Sequence, residues 1–287
     1  MPLTYVHSLP ETSCERPGLY LIGVCFDGTA CFRKGAKEGP LAIRRVSDDI
    51  ESYSPYLHKD LEEMGPFYDL GDVGPEGEEG DSAIVAMEKR YGQKVAGFDP
   101  GESRLVTLGG EHSISLIPLK IHLAHYPDLV VIHLDAHADL RDGYGGFYFS
   151  HASVIARMLE HFGSKHELIQ YGIRSGTAGE YEWMKREKTL SPSRKEFLKR
   201  IQDLPSERPL YLTFDLDYFD PGLFPGTGTP EPGGEDFHSF IQLIKVLNEK
   251  NFVGADIVEL APALDPSDVS SVTATKVARE ILLALSG

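Results

Sequence analysis

The chain has 287 residues, of which 41% are hydrophobic and 25% are charged, a composition typical of a folded globular protein. Its 28 basic and 44 acidic residues give a formal net charge of −16, which repels phosphate backbones and argues against a nucleic-acid partner. We find neither a secretory signal nor an apolar run of about 18 residues, so we expect no membrane association and a cytoplasmic location.

Apolar segments alternate with helical patterns along the whole sequence. The predicted strands are Leu19–Val24, Phe67–Leu70, Leu105–Leu108, Val130–Leu134, Leu168–Gly172, Leu210–Phe214 and Ile257–Leu260. The predicted helices are Gly39–Ser52, Asp81–Tyr91, Ser115–Ala124, Ser153–His161, Asp236–Lys250 and Ser270–Leu285. This order predicts an α/β fold with one doubly wound, mostly parallel sheet of about seven or eight strands and helices on both faces. No long linker divides the chain, so residues 1–287 are predicted to form a single domain.

Acidic and imidazole side chains follow three of the predicted strands. Ligands of open α/β sheets bind beyond the carboxyl ends of the strands, which makes these residues the candidate site. Residues two apart in an extended segment point to the same side, so the alternating residues can face one point. The candidates are His112 after the first of these strands, Asp135, His137 and Asp139 after the second, and Asp215 and Asp217 after the third.

This set of side chains predicts a metal centre. Buried carboxylates that crowd one rim repel one another, and cations relieve that repulsion. A carboxylate-rich set with two histidines and no cysteine suits manganese or another borderline divalent ion better than structural zinc. Six ligands are enough for two ions that share bridging carboxylates. Each motif by itself also fits helix caps and solvated turns, and only their joint occurrence after three strands favours metal.

Several motifs resemble the ureohydrolase family of arginases and agmatinases. They are GGEHSIS at 109–115, HLDAHADLRD at 133–142, TFDLDYFDPGLFPGTGTPEPGG at 213–234 and DIVELAP at 256–262, and GVCFDGTACFRKGAKEGPLAIR resembles the opening segment of the family. The resemblance extends from about Gly18 to the last helix. It implies an arginase-like fold and a homo-oligomer, a trimer or a hexamer.

The resemblance implies two Mn²⁺ ions per subunit. One would be held by His112, Asp135, Asp139 and Asp215, and the other by Asp135, His137, Asp215 and Asp217. Two departures from the family pattern stand beside these ligands. Glu111 replaces an aspartate found in many members, and the bulky pair Tyr218 and Phe219 is expected to reshape the pocket.

A hydroxide that bridges two such ions is expected to attack the central carbon of a guanidinium group. Glu259, at a strand end, is expected to accept two parallel N–H bonds from that planar group, although a salt-bridged glutamate is the alternative. His151 is the candidate acid for the departing amine, or else a helix N-terminal histidine. Asp139 is expected to steer the proton of the hydroxide, and Thr229 to contact the substrate.

The expected reaction is cleavage of agmatine to putrescine and urea, a step of polyamine synthesis. The segment LRDGYGGFYFSHA lacks the Asn-containing segment with which arginases bind an α-carboxylate, which disfavours arginine. Aminopropylagmatine and guanidinobutyrate stay open as substrates, as do a catalytically inactive metal-binding homologue and a single-zinc hydrolase of related architecture. Six other histidines are expected to be solvated, namely His58, His122, His125, His161, His166 and His238.

Overall fold

A computed structural model describes residues 3–15 and 17–287. The strands are β1 (Leu9–Pro10), β2 (Leu19–Val24), β3 (Tyr53–Ser54), β4 (Lys59–Asp60), β5 (Phe67–Val73), β6 (Arg104–Gly109), β7 (Val130–Leu134), β8 (Glu167–Tyr171), β9 (Leu210–Asp215) and β10 (Phe252–Val258). The α-helices are α1 (Gly39–Ser47), α2 (Gly80–Lys94), α3 (Leu116–His125), α4 (Val154–Leu159), α5 (Ala178–Glu187), α6 (Arg194–Gln202), α7 (Phe237–Leu247) and α8 (Val269–Leu285). Among the described residues, none of the helices has the length and apolar character that crossing a membrane requires.

Eight strands form one parallel sheet in the order β1-β5-β2-β6-β10-β9-β7-β8. The short strands β3 and β4 pair separately as an antiparallel hairpin. Because every strand of the large sheet runs in the same direction, the carboxyl ends of β6, β7, β9 and β10 meet at one edge. That edge carries the residues from which the sequence predicts a site.

Helices cover both faces of the sheet. Alternate residues of a strand point to opposite faces, and in β7 Val130, Ile132 and Leu134 pack with α1, α6, α7 and α8. Val131 of the same strand packs on the opposite face with α3 and α4. Side chains of α2 cover the neighbouring part of that second face. The predicted fold class, a doubly wound and mostly parallel sheet, is therefore confirmed.

The short strands β1, β3 and β4 were not predicted, and α1 ends at Ser47 rather than at Ser52. Two further features of the fold also differ from the prediction. The last strand was expected at Ile257–Leu260 but occupies Phe252–Val258, because Glu259 adopts a left-handed backbone conformation that ends it. Helices α5 and α6 were not predicted from the sequence. Each begins after a hydroxyl residue whose side chain accepts a backbone N–H three residues on, Thr177 in α5 and Ser193 in α6.

Candidate metal centre and active site

The loops that follow β6, β7 and β9 bring the six predicted ligands together. His112 begins a short 3-10 turn directly after β6, and Asp215 is the last residue of β9. Asp135 follows β7 at once and is fully buried, like His112 and Asp217. The cluster therefore sits at the carboxyl edge of the sheet, under the loops rather than on the surface.

One group of candidate ligands centres on His112. Its Nδ1 atom lies 3.0 Å from Asp135 Oδ2, 3.1 Å from Asp139 Oδ2 and 3.4 Å from Asp215 Oδ2. This nitrogen is buried and has no hydrogen-bond partner in the described structure. Its ring partner atom, Nε2, is 2.9 Å from the Thr213 hydroxyl. An imidazole nitrogen without a hydrogen bond that faces three carboxylate oxygens has the arrangement of a metal ligand.

A second group shares one residue with the first. Asp135, His137 and Asp217 offer ligand atoms that all lie within 4.8 Å of one another. His137 Nδ1 is 2.8 Å from Asp217 Oδ2 and 3.5 Å from Asp135 Oδ1. Asp135 thus belongs to both groups, as a carboxylate that bridges two ions must. The donor set of carboxylates and imidazoles fits two divalent cations of borderline hardness.

The charges of the cluster also favour the binding of cations. Burial, together with the nearby carboxylates of Asp217 and Asp135, raises the pKa of Asp215 well above its ordinary value. Burial likewise raises the pKa of Asp217, although His137 opposes it. Burial opposes ionisation of Asp135 too, but the adjacent imidazoles of His112, His133 and His137 outweigh it and hold the pKa of Asp135 well below the usual range. Divalent ions would stabilise the ionised form of all three carboxylates.

Glu259 lies beside this cluster in a strained conformation. Its φ of 68° falls in the left-handed region, where a glutamate is rare. Asp139 has the same property, with a φ of 53°. Burial and the neighbouring Glu111 raise the pKa of Glu259 well above its ordinary value. A buried carboxylate held in this way is a strong candidate for binding a cationic group.

His151 is held at the site by two residues that the sequence analysis did not assign to it. Its backbone N–H donates to Thr29 Oγ1 at 3.1 Å, and its Nδ1 atom lies 3.4 Å from the same oxygen. Thr29 in turn donates its backbone N–H and its hydroxyl to the buried carboxylate of Glu111. Glu111 therefore anchors the loop that presents His151, and no sequence signal beyond its place in the GGEH motif identifies it.

A cavity of about 200 Å³ opens above the cluster. His112, His137, Asp139, Asp215, Glu259, His151 and Thr229 all line it. Thr229 Oγ1 lies 3.4 Å from Asp217 Oδ2, so this threonine touches the cluster as well as the cavity. Asp135 and Asp217 lie beneath the lining residues. Four of the six predicted ligands thus share one pocket with the predicted acid and the predicted substrate-binding residues.

Two expectations about neighbouring residues are wrong. Tyr218 and Phe219 do not shape the pocket, since both are buried in the core on the other side of β9 and pack against Phe214. His122 is not solvated, since its ring is fully buried against Tyr211. Tertiary packing decides both cases, because neither a helical pattern nor a loop position fixes which side of the sheet a ring occupies.

Comparison with known proteins is consistent with this geometry. The model of the arginase family matches residues 18–284. An agmatinase of Bacillus anthracis is 39% identical over 281 residues, which is 94% of this chain and 93% of that protein. A solved structure from Clostridium difficile has 36% identity and a TM-score of 0.84, over 93% of this chain and 96% of that one. The agmatine ureohydrolase of Thermoplasma volcanium has 27% identity and a TM-score of 0.77, over 93% and 89% of the two chains.

The chain therefore belongs to the arginase family. Its class is that of the ureohydrolases, hydrolases of carbon–nitrogen bonds in guanidino compounds.

Proposed function

We propose that this protein hydrolyses agmatine to putrescine and urea with two bound Mn²⁺ ions. The observation that carries the proposal is the shared carboxylate of Asp135, which belongs to two ligand groups on the floor of a pocket that also presents Glu259 and His151. Relatives that share more than a third of the sequence are named agmatinases. Both the geometry and the relatives thus favour the same reaction.

His112, Asp135, Asp139 and Asp215 would hold one ion, and Asp135, His137, Asp215 and Asp217 the other. When bound, a pair of divalent ions supplies a water molecule that loses its proton near neutral pH. The protein holds these side chains with backbone donors. Asp135 Oδ1 accepts the N–H of His137 at 2.5 Å, and Asp217 Oδ1 accepts that of Ala136 at 2.9 Å. The ligand atoms are therefore placed before any ion binds.

Glu259 would bind the guanidinium group. Its Oε1 atom accepts the N–H of His112, and the rest of the carboxylate faces the pocket beside the cluster. A guanidinium group that donates to this carboxylate is fixed in its plane and has its central carbon near the metal-binding side chains. The bound guanidinium cation would also stabilise the ionised carboxylate of Glu259, and it would thereby oppose the rise in pKa that burial causes.

His151 would protonate the departing amine. When the carbon–nitrogen bond to the alkyl chain breaks, the amine nitrogen needs a proton, and an imidazole on the pocket wall can deliver it. The Nδ1 edge of the ring faces Thr29 and Ser150, so the Nε2 edge is the one directed away from these anchors. Asp139, beside His112 at the pocket floor, would accept the proton of the attacking water.

The pocket walls favour a cationic tail but carry one basic residue. Asp139 and Asp215 line the cavity as proposed ion ligands, and Glu259 would pair with the guanidinium group. The remaining carboxylate among the lining residues is Glu180, whose negative charge would attract the ammonium end of agmatine. Arg141 lines it as well, stacked on the Tyr144 ring at 4.6 Å, and has no ion-pair partner within the described ranges. This arginine favours guanidinobutyrate as a second candidate, because an acidic tail would pair with it.

The test is urea release by the Mn²⁺-loaded protein offered agmatine, arginine, guanidinobutyrate and aminopropylagmatine at equal concentration. We expect agmatine to have the highest kcat/KM. Arg141→Ala is measured beside the wild type, and it should leave agmatine turnover high while it lowers any activity on guanidinobutyrate. A preference of the wild type for another guanidine would overturn the substrate, and no urea from any of them with two ions bound would overturn the reaction.

A further inference from the structure

A row of polar side chains crosses the centre of the sheet just below the metal-ligand cluster. It consists of Thr107 on β6, Asp256 on β10, Thr213 on β9, His133 on β7 and Gln170 on β8, which we call the polar row. Each member is the direct backbone neighbour of the next, since Asp256 pairs with Thr107 and Thr213, and His133 pairs with Thr213 and Gln170. All five side chains are fully buried.

Polar groups in the middle of a sheet are costly unless they are hydrogen-bonded. An unpartnered buried hydroxyl or amide destabilises the folded state, and an unpartnered buried carboxylate does so more strongly. Each member of the row stands between two apolar residues of its own strand, which point to the opposite face of the sheet and belong to the core there. The polar row therefore has a role other than filling the core, and its hydrogen bonds identify the residues that it contacts in that role.

One branch of the row leads to His112. Asp256 accepts the hydroxyls of Ser115 at 2.6 Å, Thr213 at 2.8 Å and Tyr211 at 2.9 Å. Since the Thr213 proton points to Asp256, the Thr213 oxygen can only accept from His112 Nε2, at 2.9 Å. His112 then carries its proton on Nε2. Its Nδ1 lone pair is left free and faces the three carboxylates of the cluster.

A second branch leads to Asp135. Thr189 donates its hydroxyl to Gln170 Oε1 at 2.7 Å, which fixes the orientation of the amide. The Gln170 amide nitrogen then donates to His133 Nδ1 at 3.1 Å. The ring proton of His133 must consequently sit on Nε2, which donates to Asp135 Oδ2 at 2.8 Å. The ring of His133 lies within reach of the cluster, yet both of its nitrogens are occupied by hydrogen bonds.

We propose that the polar row is a positioning layer with two roles. Through Asp256 and Thr213 it keeps the Nδ1 lone pair of His112 free. Through Gln170 and His133 it orients the carboxylate of Asp135. His133 is on this view a positioning residue and not a metal ligand. The inference rests on the proposed function, because it assumes that His112 and Asp135 bind the ions. Such outer hydrogen bonds affect metal affinity by about 10–100-fold in metalloproteins.

The first test compares Thr213→Val with Thr213→Ser by calorimetric titration of the metal-free protein with MnCl2, without substrate. Valine removes the hydroxyl at nearly constant volume, whereas serine keeps it. We expect Thr213→Val to bind one of the two ions about 10–100-fold more weakly and Thr213→Ser to bind both like the wild type. Thermal unfolding of the metal-free variants checks that both are folded. Equal Mn²⁺ affinities in the two variants would overturn the proposal.

The second test uses His133→Gln and His133→Leu, so that the inference does not depend on one folded variant. Glutamine keeps an N–H donor for Asp135 and leucine does not. A positioning role predicts that His133→Gln binds both ions more tightly than His133→Leu. Loss of one ion in both variants alike would make His133 a ligand and refute the proposal. Wild-type protein that binds two ions but releases no urea would refute the proposed function alone, since these comparisons need no substrate.

Discussion

The backbone N–H of His112 donates to Glu259 Oε1 at 2.8 Å, while the side chain of the same histidine faces the carboxylate cluster. One residue thus joins the group that would bind the guanidinium to the groups that would bind the ions. The hydrogen bond holds the carboxylate on the cluster side, and the backbone of Glu259, with its left-handed φ of 68°, is held by its own N–H, which donates to Gly110 O at 2.8 Å. The proposed substrate-binding carboxylate and the candidate metal centre are therefore built as one unit.

This relationship gives a prediction for Glu259→Gln. The glutamine Oε1 can still accept the His112 N–H, but the negative charge that pairs with a guanidinium is lost. We expect kcat/KM for agmatine to fall by about 100-fold or more, with two Mn²⁺ ions still bound. Steady-state kinetics and metal analysis measure the two quantities. Glu249→Gln, at an exposed glutamate, is the matched control. Equal loss of metal and activity in Glu259→Gln would show that Glu259 acts on the ions instead.

Asp217 tests the two-ion arrangement. Its carboxylate is 2.8 Å from His137 Nδ1 and belongs to only one of the two candidate ligand groups. Asp217→Ala should therefore bind about one Mn²⁺ per chain and lose turnover by orders of magnitude, while the protein stays folded. Metal content after dialysis and circular dichroism measure this, with Glu249→Ala as the control. An active Asp217→Ala variant that holds neither ion would rule out metal-dependent catalysis.

His151→Asn should affect catalysis without affecting metal binding. The asparagine keeps the backbone N–H that Thr29 accepts but has no group that titrates near neutral pH. We expect kcat to fall by about 10²–10⁴-fold, the range for loss of a general acid, with Mn²⁺ affinity unchanged. His161→Asn, at an exposed histidine, serves as the control. Wild-type kcat in His151→Asn would mean that another group protonates the amine.

His122 gives a prediction for stability at low pH. Burial lowers the pKa of His122 to about 4, below the ordinary value of about 6.5, because the buried ring lacks the water that would solvate its charged form. The unfolded chain takes up a proton on this ring below about pH 6.5, and the folded chain does so only near pH 4. The contribution of neutral His122 to the free energy of unfolding is therefore complete above about pH 6.5. It declines by about 3 kcal/mol as the pH falls to about 4.

His122→Leu removes this titration at similar volume. We expect the free energy of unfolding of the variant to vary less between pH 6.5 and 4.5 than that of the wild type, whereas His161→Leu should vary like the wild type. Urea denaturation at several pH values measures it. If the free energy of unfolding changes with pH equally in His122→Leu and the wild type, His122 does not contribute to acid sensitivity.

Much of the site was predictable because its chemistry lies in short motifs at strand ends. Asp135, His137 and Asp139 alternate after β7, and the carboxyl ends of parallel strands must meet at one edge of the sheet. The order of apolar and amphipathic segments likewise gave the fold class. Local sequence predicts these features, because they follow from the residue types after each strand and from strand direction. The left-handed backbone at Asp139 and the 3-10 turn that holds Asp217 were not predicted.

Other features depend on which residues become neighbours across the sheet. In the sequence, His133 is a single polar residue within an apolar strand, and only the strand order places it between Thr213 and Gln170. The tertiary structure alone likewise brings Thr29 to Glu111 and His151, and puts the ring of His122 against Tyr211. The sequence by itself determined the types and the spacing of the candidate ligands. The tertiary structure decided which hydrogen bonds hold those ligands, since strand order and register fix contacts between residues that are far apart in the chain.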